Sequence, residues 1–478
     1  MKYITYSNKI VLMWAYDEKI NGKRHIVLNG QEIGKTSSYH FIIDNLEYNT
    51  TFKVDVLVNK VIVDSITILT MPKKNVIRVD VDNRGIEVVT KDIQKIIDSA
   101  NENDVIYFPE GIYLTGALFF KSNHEIYLDE RCLIKGNTDH QDYLPKIKSR
   151  FEGIENESYA SLFNFGDLDR GNIHNTHNII IHGKGTIIGG GLALHDSIIE
   201  AELPFAKDDS SYRKDLLAGR ARGRLINISN CDNVIVDGIK MGYSPSWNLH
   251  ITYSSNIYIH SCKFESFGIH NGDGIDIDSC ENSYIFNNVF NTGDDCIAIK
   301  SGKNPEGNII NIPTKNVNIF DCDTIKGHAC ALGSEISGGI EDINIYNCDF
   351  TNTIYGLHIK STLKRGGYIK NVKVRDSKFS SINIRGVPYN DDGESASTIS
   401  EFKDFEFGNI TLSGIMYEKH NKTDTCKHIN VDGFINYPDN FNNFKFNNIT
   451  LLENYIEDKT YVTNAVNVTL DNMLIKEK

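Results

Sequence analysis

The stretch NTGDDCIAIKSG, residues 291–302, sets Asp294 beside Asp295 behind a glycine and continues as a short apolar strand ending in Lys300. Further acid/base segments stand at comparable distances: Asp273 in HNGDGIDIDS before the pair, His328 in KGHACALGSE after it, and Lys360 in GLHIKS after that. If each gap is one turn of a repeating coil, residues one turn apart lie on neighbouring strands about 4.8 Å apart. The spacing then predicts Asp273, the Asp294/Asp295 pair, His328 and His358/Lys360 in line across four rungs of one sheet. Three close carboxylates cannot all ionise freely, so one stays protonated near neutrality while another remains an anion. That is the equipment for hydrolysing a glycosidic bond: a carboxylic acid protonates the leaving oxygen and a carboxylate activates water. A rung's separation leaves room for that water and favours inversion. Calcium ligation by the same oxygens is the competing use; His328 beside them suits acid/base work better.

The elements that must hold these groups are also legible. Residues 1 to about 72 alternate apolar and polar in short runs (KIVLMWAY, RHIVLNG, SYHFIIDNL, TFKVDVLV, DSITIL), the pattern of a small antiparallel β-sandwich, and MPKKN (71–75) reads as a linker to a second domain, 73–478. DIQKIIDSA puts Ile93, Ile96, Ile97 and Ala100 on one helical face. After it the chain is strand-like and repeats on asparagine: NIIIHG at 178, NVIVDG at 233, NIYIHSC at 256, NSYIFNN at 282, NVNIFDC at 316, DINIYNC at 342 and NVKVRDS at 371. From 233 onward the starts succeed one another at uneven but similar intervals. One short strand and one polar turn per variable repeat predict a parallel β-helix in an all-β chain, with the helix as a cap over its exposed first edge. Cys262, Cys322 and Cys348 fall at the same position of their repeats, counted from the leading Asn or Asp, which predicts a ladder of small buried side chains.

Composition narrows the function further. The 478 residues carry 50 Lys+Arg against 63 Asp+Glu, a formal charge of −13, which excludes a generic nucleic-acid or other polyanion binder. No run approaches the roughly 18–20 apolar residues of a membrane span, and the N-terminal residues lack the pattern of a secretory leader. Nine cysteines without a CxxC pair argue against a disulfide framework or zinc site and predict a reducing compartment, the cytoplasm.

NGDG, GDD, GH and the Ile-Lys of GLHIK, in this order and at these distances, resemble the polygalacturonase family of glycoside hydrolases, family 28, whose members are right-handed parallel β-helices. The likeness runs from about residue 78 to at least 385 and includes IYFPEGIYLTGALFFKSNHEIYLD, GKGTI and SPSWNLHI. The N-terminal segment, with LMW and NLEYNTTFKV, resembles a fibronectin type III module, with Phe52 where the module has a tyrosine. Position by position, the family resemblance implies that Asp294 is the general acid, that Asp273 and Asp295 hold and activate water, that His328 tunes the acid, and that Lys360 contacts a galacturonate carboxylate. Lys300 and His250 are further groove candidates. No cofactor is implied, and the partner is a pectin-derived oligosaccharide or polysaccharide. The family usually has threonine at Gly272, glycine at Ala329 and arginine at His358. Loss of that arginine removes a bidentate grip on a sugar carboxylate, and Arg365, in LKRGG, is the nearby candidate to restore the charge.

The expected activity is inverting, exo-acting hydrolysis of α-1,4-galacturonosyl linkages. Cleavage of another pectic linkage, involving rhamnose or a substituted galacturonate, is the alternative that His358 raises. A calcium-dependent β-helix lyase would yield an unsaturated product absorbing in the ultraviolet. A non-catalytic carbohydrate binder would be indifferent to Asp294→Asn.

Overall fold

The structure, a computed structural model, describes residues 1–20, 22–206, 213–389, 391–414, 427–452 and 460–476. The chain divides into two compact units, Met1–Val76 and Ile77–Lys478. The first holds two antiparallel sheets. Lys2–Thr5, Ile10–Met13 and His40–Ile43 form one; Gln31–Thr36, Arg24–Leu28, Thr51–Val58 and Val61–Leu69 form the other. Alternation along the strands gives a core of Ile10, Leu12, Trp14, Ile26, Val54, Val56 and Ile68. Phe52 has no hydroxyl to close the turn at 46–50, and Thr70 does so instead, its Oγ1 donating to Glu47 O at 2.7 Å and accepting from Thr50 N at 2.9 Å.

The second unit is a parallel β-helix. Its registers follow the asparagine repeat: Val234 faces Ile257, Ile257 faces Ser283, Ser283 faces Val317, Val317 faces Ile343 and Ile343 faces Val372. The reason is conformational. Asn178, Asn233, Asn256, Asn282, Asn316, Asp342 and Asn371 all have φ between 53° and 59°, the left-handed region that asparagine and aspartate tolerate best among residues with a Cβ. Their side chains also bond from rung to rung: Asn233 Nδ2 donates to Asn178 Oδ1 at 2.8 Å, Asn316 to Asn282 at 2.6 Å and Asn371 to Asp342 at 3.0 Å.

Inside the coil, Val236, Ile259, Ile285, Ile319 and Ile345 stack as one fully buried ladder. Each such side chain is worth roughly 1.5–3 kcal/mol of burial. The eight described cysteines are buried thiols; Cys262, Cys322 and Cys348 each point Sγ at a carbonyl of the preceding rung, with Asn288 in the ladder between the first two. At the first edge the helix Thr90–Ser99 buries Ile93 and Ile97, and Gln94 pairs with both backbone groups of Phe119, at 2.9 Å each. A side-chain amide thus satisfies a strand that has no neighbour there. Among the described residues, no helix is long and apolar enough to cross a membrane.

Candidate active site

One face of the coil carries the chemistry. Its strands Leu249–Thr252, Ile275–Asp278, Ile297–Lys300, Asp323–Leu332, Thr353–Ser361 and Ile382–Gly386 pair in parallel, with Leu249, Ile275, Ile297, Cys330, Leu357 and Ile382 in one inward line. Counting back from that line, Asp273, Asp295 and His328 occupy equivalent positions on three successive rungs. Gly274 N donates to Asp295 O at 2.9 Å and Cys296 N to Ala329 O at 2.8 Å, which locks this stretch. The preceding turn requires glycine: a Cβ on Gly293 would stand 2.3 Å from Ile269 O and 2.7 Å from Ser266 O. Asp294 follows that turn, its carbonyl accepting from Thr292 Oγ1 at 2.8 Å and His328 N at 2.9 Å. Its carboxylate therefore projects beside the rung line.

Lys360 is displaced from the expected line. The turn after His328 is shorter than the spacing to Lys360 implies, with Cys330 facing Leu357; the register shift between Gly327 and Ala329 adds a residue to the turn and does not make up the difference. Tyr355, not Lys360, follows His328, and Lys360 stands two rungs beyond Lys300 with Gly333 between them. A glycine there leaves the floor between the lysines without a side chain. Both lysines lean back toward the acids: Lys360 Nζ lies 3.7 Å from Asp295 Oδ2, and Lys300 Nζ lies 3.8 Å from Asp273 Oδ2 and 2.6 Å from Asp276 Oδ1.

These groups open on a cleft of about 370 Å³ whose lining includes Asp273, Asp294, Asp295, Lys300, His328, His358 and Lys360. Lys300 Nζ stands 3.7 Å over the Trp247 ring, a further lining residue. Asp294 is the most exposed of the three acids, its side chain 27 % accessible, and Oδ1 pairs with His328 Nδ1 at 2.7 Å. Burial raises Asp273 well above the ordinary carboxyl range, and Asp276 and Asp294 raise it further against Lys300. Burial also raises Asp295, opposed by Lys360. Five carboxylates (Asp273, Asp276, Asp294, Asp295, Glu335) thus meet two lysines, and protons must be retained in the cluster. Asp294, Asp295 and His328 bring ligand atoms within 4.8 Å of one another and are the one candidate metal cluster among the described residues. Lys360 already supplies positive charge to Asp295 there, and His328 already partners Asp294.

Asp276 has a consequence for stability. Burial lifts it from 3.8 to about 7, with Lys300 opposing. The folded protein then holds a proton that the unfolded chain has lost, so this stabilisation is complete below about pH 4 and lost as pH rises through about 7. We expect Asp276→Asn to flatten the fall of Tm between pH 5 and pH 8, read by calorimetry; unchanged slopes would remove Asp276 as the cause.

Three sequence candidates sit differently from expectation. His358 lines the cleft but is uncharged: burial, Lys360 and Arg385 hold its pKa well below the usual range. It therefore offers none of the partial charge expected of a histidine. His250 is fully buried, its Nε2 3.1 Å from Thr252 Oγ1 and its ring 5.0 Å from Trp247, so it props a lining residue and is absent from the lining. Arg365 is fully buried and bonded to Asn304 Oδ1 and, at 3.4 Å, Asp392 O, where it braces loops and does not replace the missing arginine. Among lining residues that sequence reasoning missed are Glu152, Tyr355, Glu335 and Tyr389. Glu335 ends the KGHACALGSE segment that carries His328, a signal that adjacency could have supplied; Glu152 and Tyr389 come from outside the repeat.

Residues 143–431 match the family model of glycosyl hydrolases family 28. A probable polygalacturonase of Vitis vinifera is 31% identical over 283 residues, 56% of this chain and 52% of that protein. An exo-poly-alpha-D-galacturonosidase of Dickeya chrysanthemi is 27% identical over 362 residues, 69% of this chain and 60% of that protein. The matches thus span between half and two thirds of these curated relatives. In structure, the family 28 exopolygalacturonase of Yersinia enterocolitica superposes with a TM-score of 0.85 at 21% identity, covering 99% of this chain and 97% of that one. The exopolygalacturonase of Thermotoga maritima gives 0.66 at 22% identity, covering 84% and 92%. With the family match enclosing every acid, histidine and lysine of the cleft, the chain belongs to glycosyl hydrolases family 28.

Proposed function

We propose that this chain hydrolyses α-1,4-galacturonosyl linkages with inversion, from the chain end. The observation that carries the proposal is the division of the acids. Asp294, the exposed one, is bonded to His328, while Asp273 and Asp295 are buried, a rung apart, each with a lysine beside it. Asp294 protonates the glycosidic oxygen as the C1–O bond breaks. A water between Asp273 and Asp295 adds to C1 from the other side and gives its proton to that pair. Lys360 neutralises the carboxylate of a galacturonate, and Lys300 stabilises the charge on Asp273.

Support for action at a chain end comes from the wall of the cleft. Glu152, at the turn between strands Ile147–Phe151 and Ile154–Ser158, and Tyr389, after Ile382–Gly386, both line it. Arg220 ties the two segments, reaching Glu152 at 2.8 Å and Asp392 at 2.9 Å, and Lys303 N donates to Gly153 O at 3.0 Å. A polymer passing through would have to part these contacts. The exo-acting relatives point the same way. A second substrate class, a pectic chain with a neutral or substituted sugar near the scissile bond, is favoured by one observation, the uncharged His358. We further take the seven-stranded N-terminal unit as a fibronectin type III-like module. Product size and anomeric form from a galacturonate oligomer test the main reading: monomer of inverted configuration, released as the oligomer shortens one unit at a time, is expected, and internal fragments formed ahead of monomer would overturn the exo assignment.

A further inference from the structure

An uncharged His358 leaves the cleft without the bidentate fork that grips a uronate most tightly, since a lysine offers only a point charge. The next rung supplies a fork. In the pairing of Thr353–Ser361 with Ile382–Gly386, Leu357 faces Ile382, His358 faces Asn383, Ile359 faces Ile384 and Lys360 faces Arg385. Leu357, Ile359, Ile382 and Ile384 are all fully buried in the core. Successive side chains alternate between the faces of a strand, so Arg385 stands on the outer face with His358 and Lys360, about 4.8 Å further along the coil. It is half-buried, its Nε is enclosed without a hydrogen-bond partner, and no carboxylate forms an ion pair with it among the described residues: Asp432, which faces it on the following rung, accepts instead from Thr463 Oγ1 at 2.8 Å. Its charge is near enough to His358 to oppose protonation of that ring. An enclosed donor without an acceptor is costly, and such groups in native proteins commonly await a ligand, ion or water.

We infer that Arg385 is a specificity-determining residue that binds the carboxylate of the uronate unit lying one rung beyond Lys360, taking over from the next turn the grip that position 358 lacks. The inference rests on the galacturonan reading above. It is tested by kcat and KM for trigalacturonate and its methyl-esterified counterpart with the wild type, Arg385→Gln and Arg385→Lys, alongside the Tm of each. Arg385→Gln should raise KM for the acid about 10- to 100-fold, the range for a charge-assisted pair. It should leave kcat within about threefold and shift the ester by less than about threefold, with Arg385→Lys in between. Where turnover of the ester is too slow to follow, the affinities of the Asp294→Asn background are compared instead. Equal losses on acid and ester, or an unchanged KM for the acid, would overturn the assignment. A wild type that prefers the ester would overturn it too and favour the second substrate class. One that cleaves neither substrate would reject the galacturonan reading on which the inference rests.

Discussion

Asp294→Asn should lower kcat on galacturonate oligosaccharides by about 10²- to 10⁴-fold, the usual contribution of a positioned general acid, with KM within about threefold. The amide keeps the shape and still meets His328, 2.7 Å from Oδ1 in the native protein, but has no proton to give the leaving oxygen. Asp273 and Asp295 cannot take over, because each is held beside a lysine on the rung line while Asp294 projects to the side. Steady-state kinetics decide the matter. A variant retaining more than about a tenth of wild-type kcat would take the acid role away from Asp294.

The second large effect is on stability. Asp278→Ala should destabilise the β-helix by about 3–5 kcal/mol, the loss expected when one partner of a buried ion pair is removed. Arg150 and Asp278 have fully buried side chains 3.1 Å apart, and Asp278 Oδ1 also accepts from Gly302 N at 3.1 Å. Burial raises Asp278 even with Arg150 beside it, so the pair itself stabilises little; the loss comes from stranding a guanidinium in the interior. An Arg150→Met, Asp278→Leu double variant should therefore recover much of it. Because Arg150 lies in the strand that leads into the turn presenting Glu152 to the cleft, the single variant should also loosen that wall. Denaturant unfolding of both variants checks this: a single-variant loss below about 1 kcal/mol would show that Arg150 finds water or another acceptor.

The sequence pattern was most informative where the backbone enforces a period. Each Asn or Asp that leads a repeat adopts a left-handed turn, and several bond to the rung before, so the intervals from 233 to 371 are the registers of the coil. The same logic places Asp273, Asp295 and His328 on successive rungs. It failed for Lys360, because the turn itself is shorter than that spacing: Cys330 faces Leu357, so Tyr355 takes the place after His328 and Lys360 lies further along the same strand, and spacing alone does not fix where in a strand a residue falls. Burial of Arg365 and His250 depends on loops packing over them, which period does not encode. Arg385 was within reach: Ile382 and Ile384 alternate with it, and only the register was needed to place it beside Lys360 on the outer face.

The most direct test of the central claim, inverting hydrolysis by Asp294 with water held between Asp273 and Asp295, is proton NMR during the first minutes of trigalacturonate cleavage. The expected result is a newly formed reducing end in the β configuration before mutarotation, absent with Asp294→Asn. Appearance of the α anomer first, or of an unsaturated sugar absorbing in the ultraviolet, would contradict it.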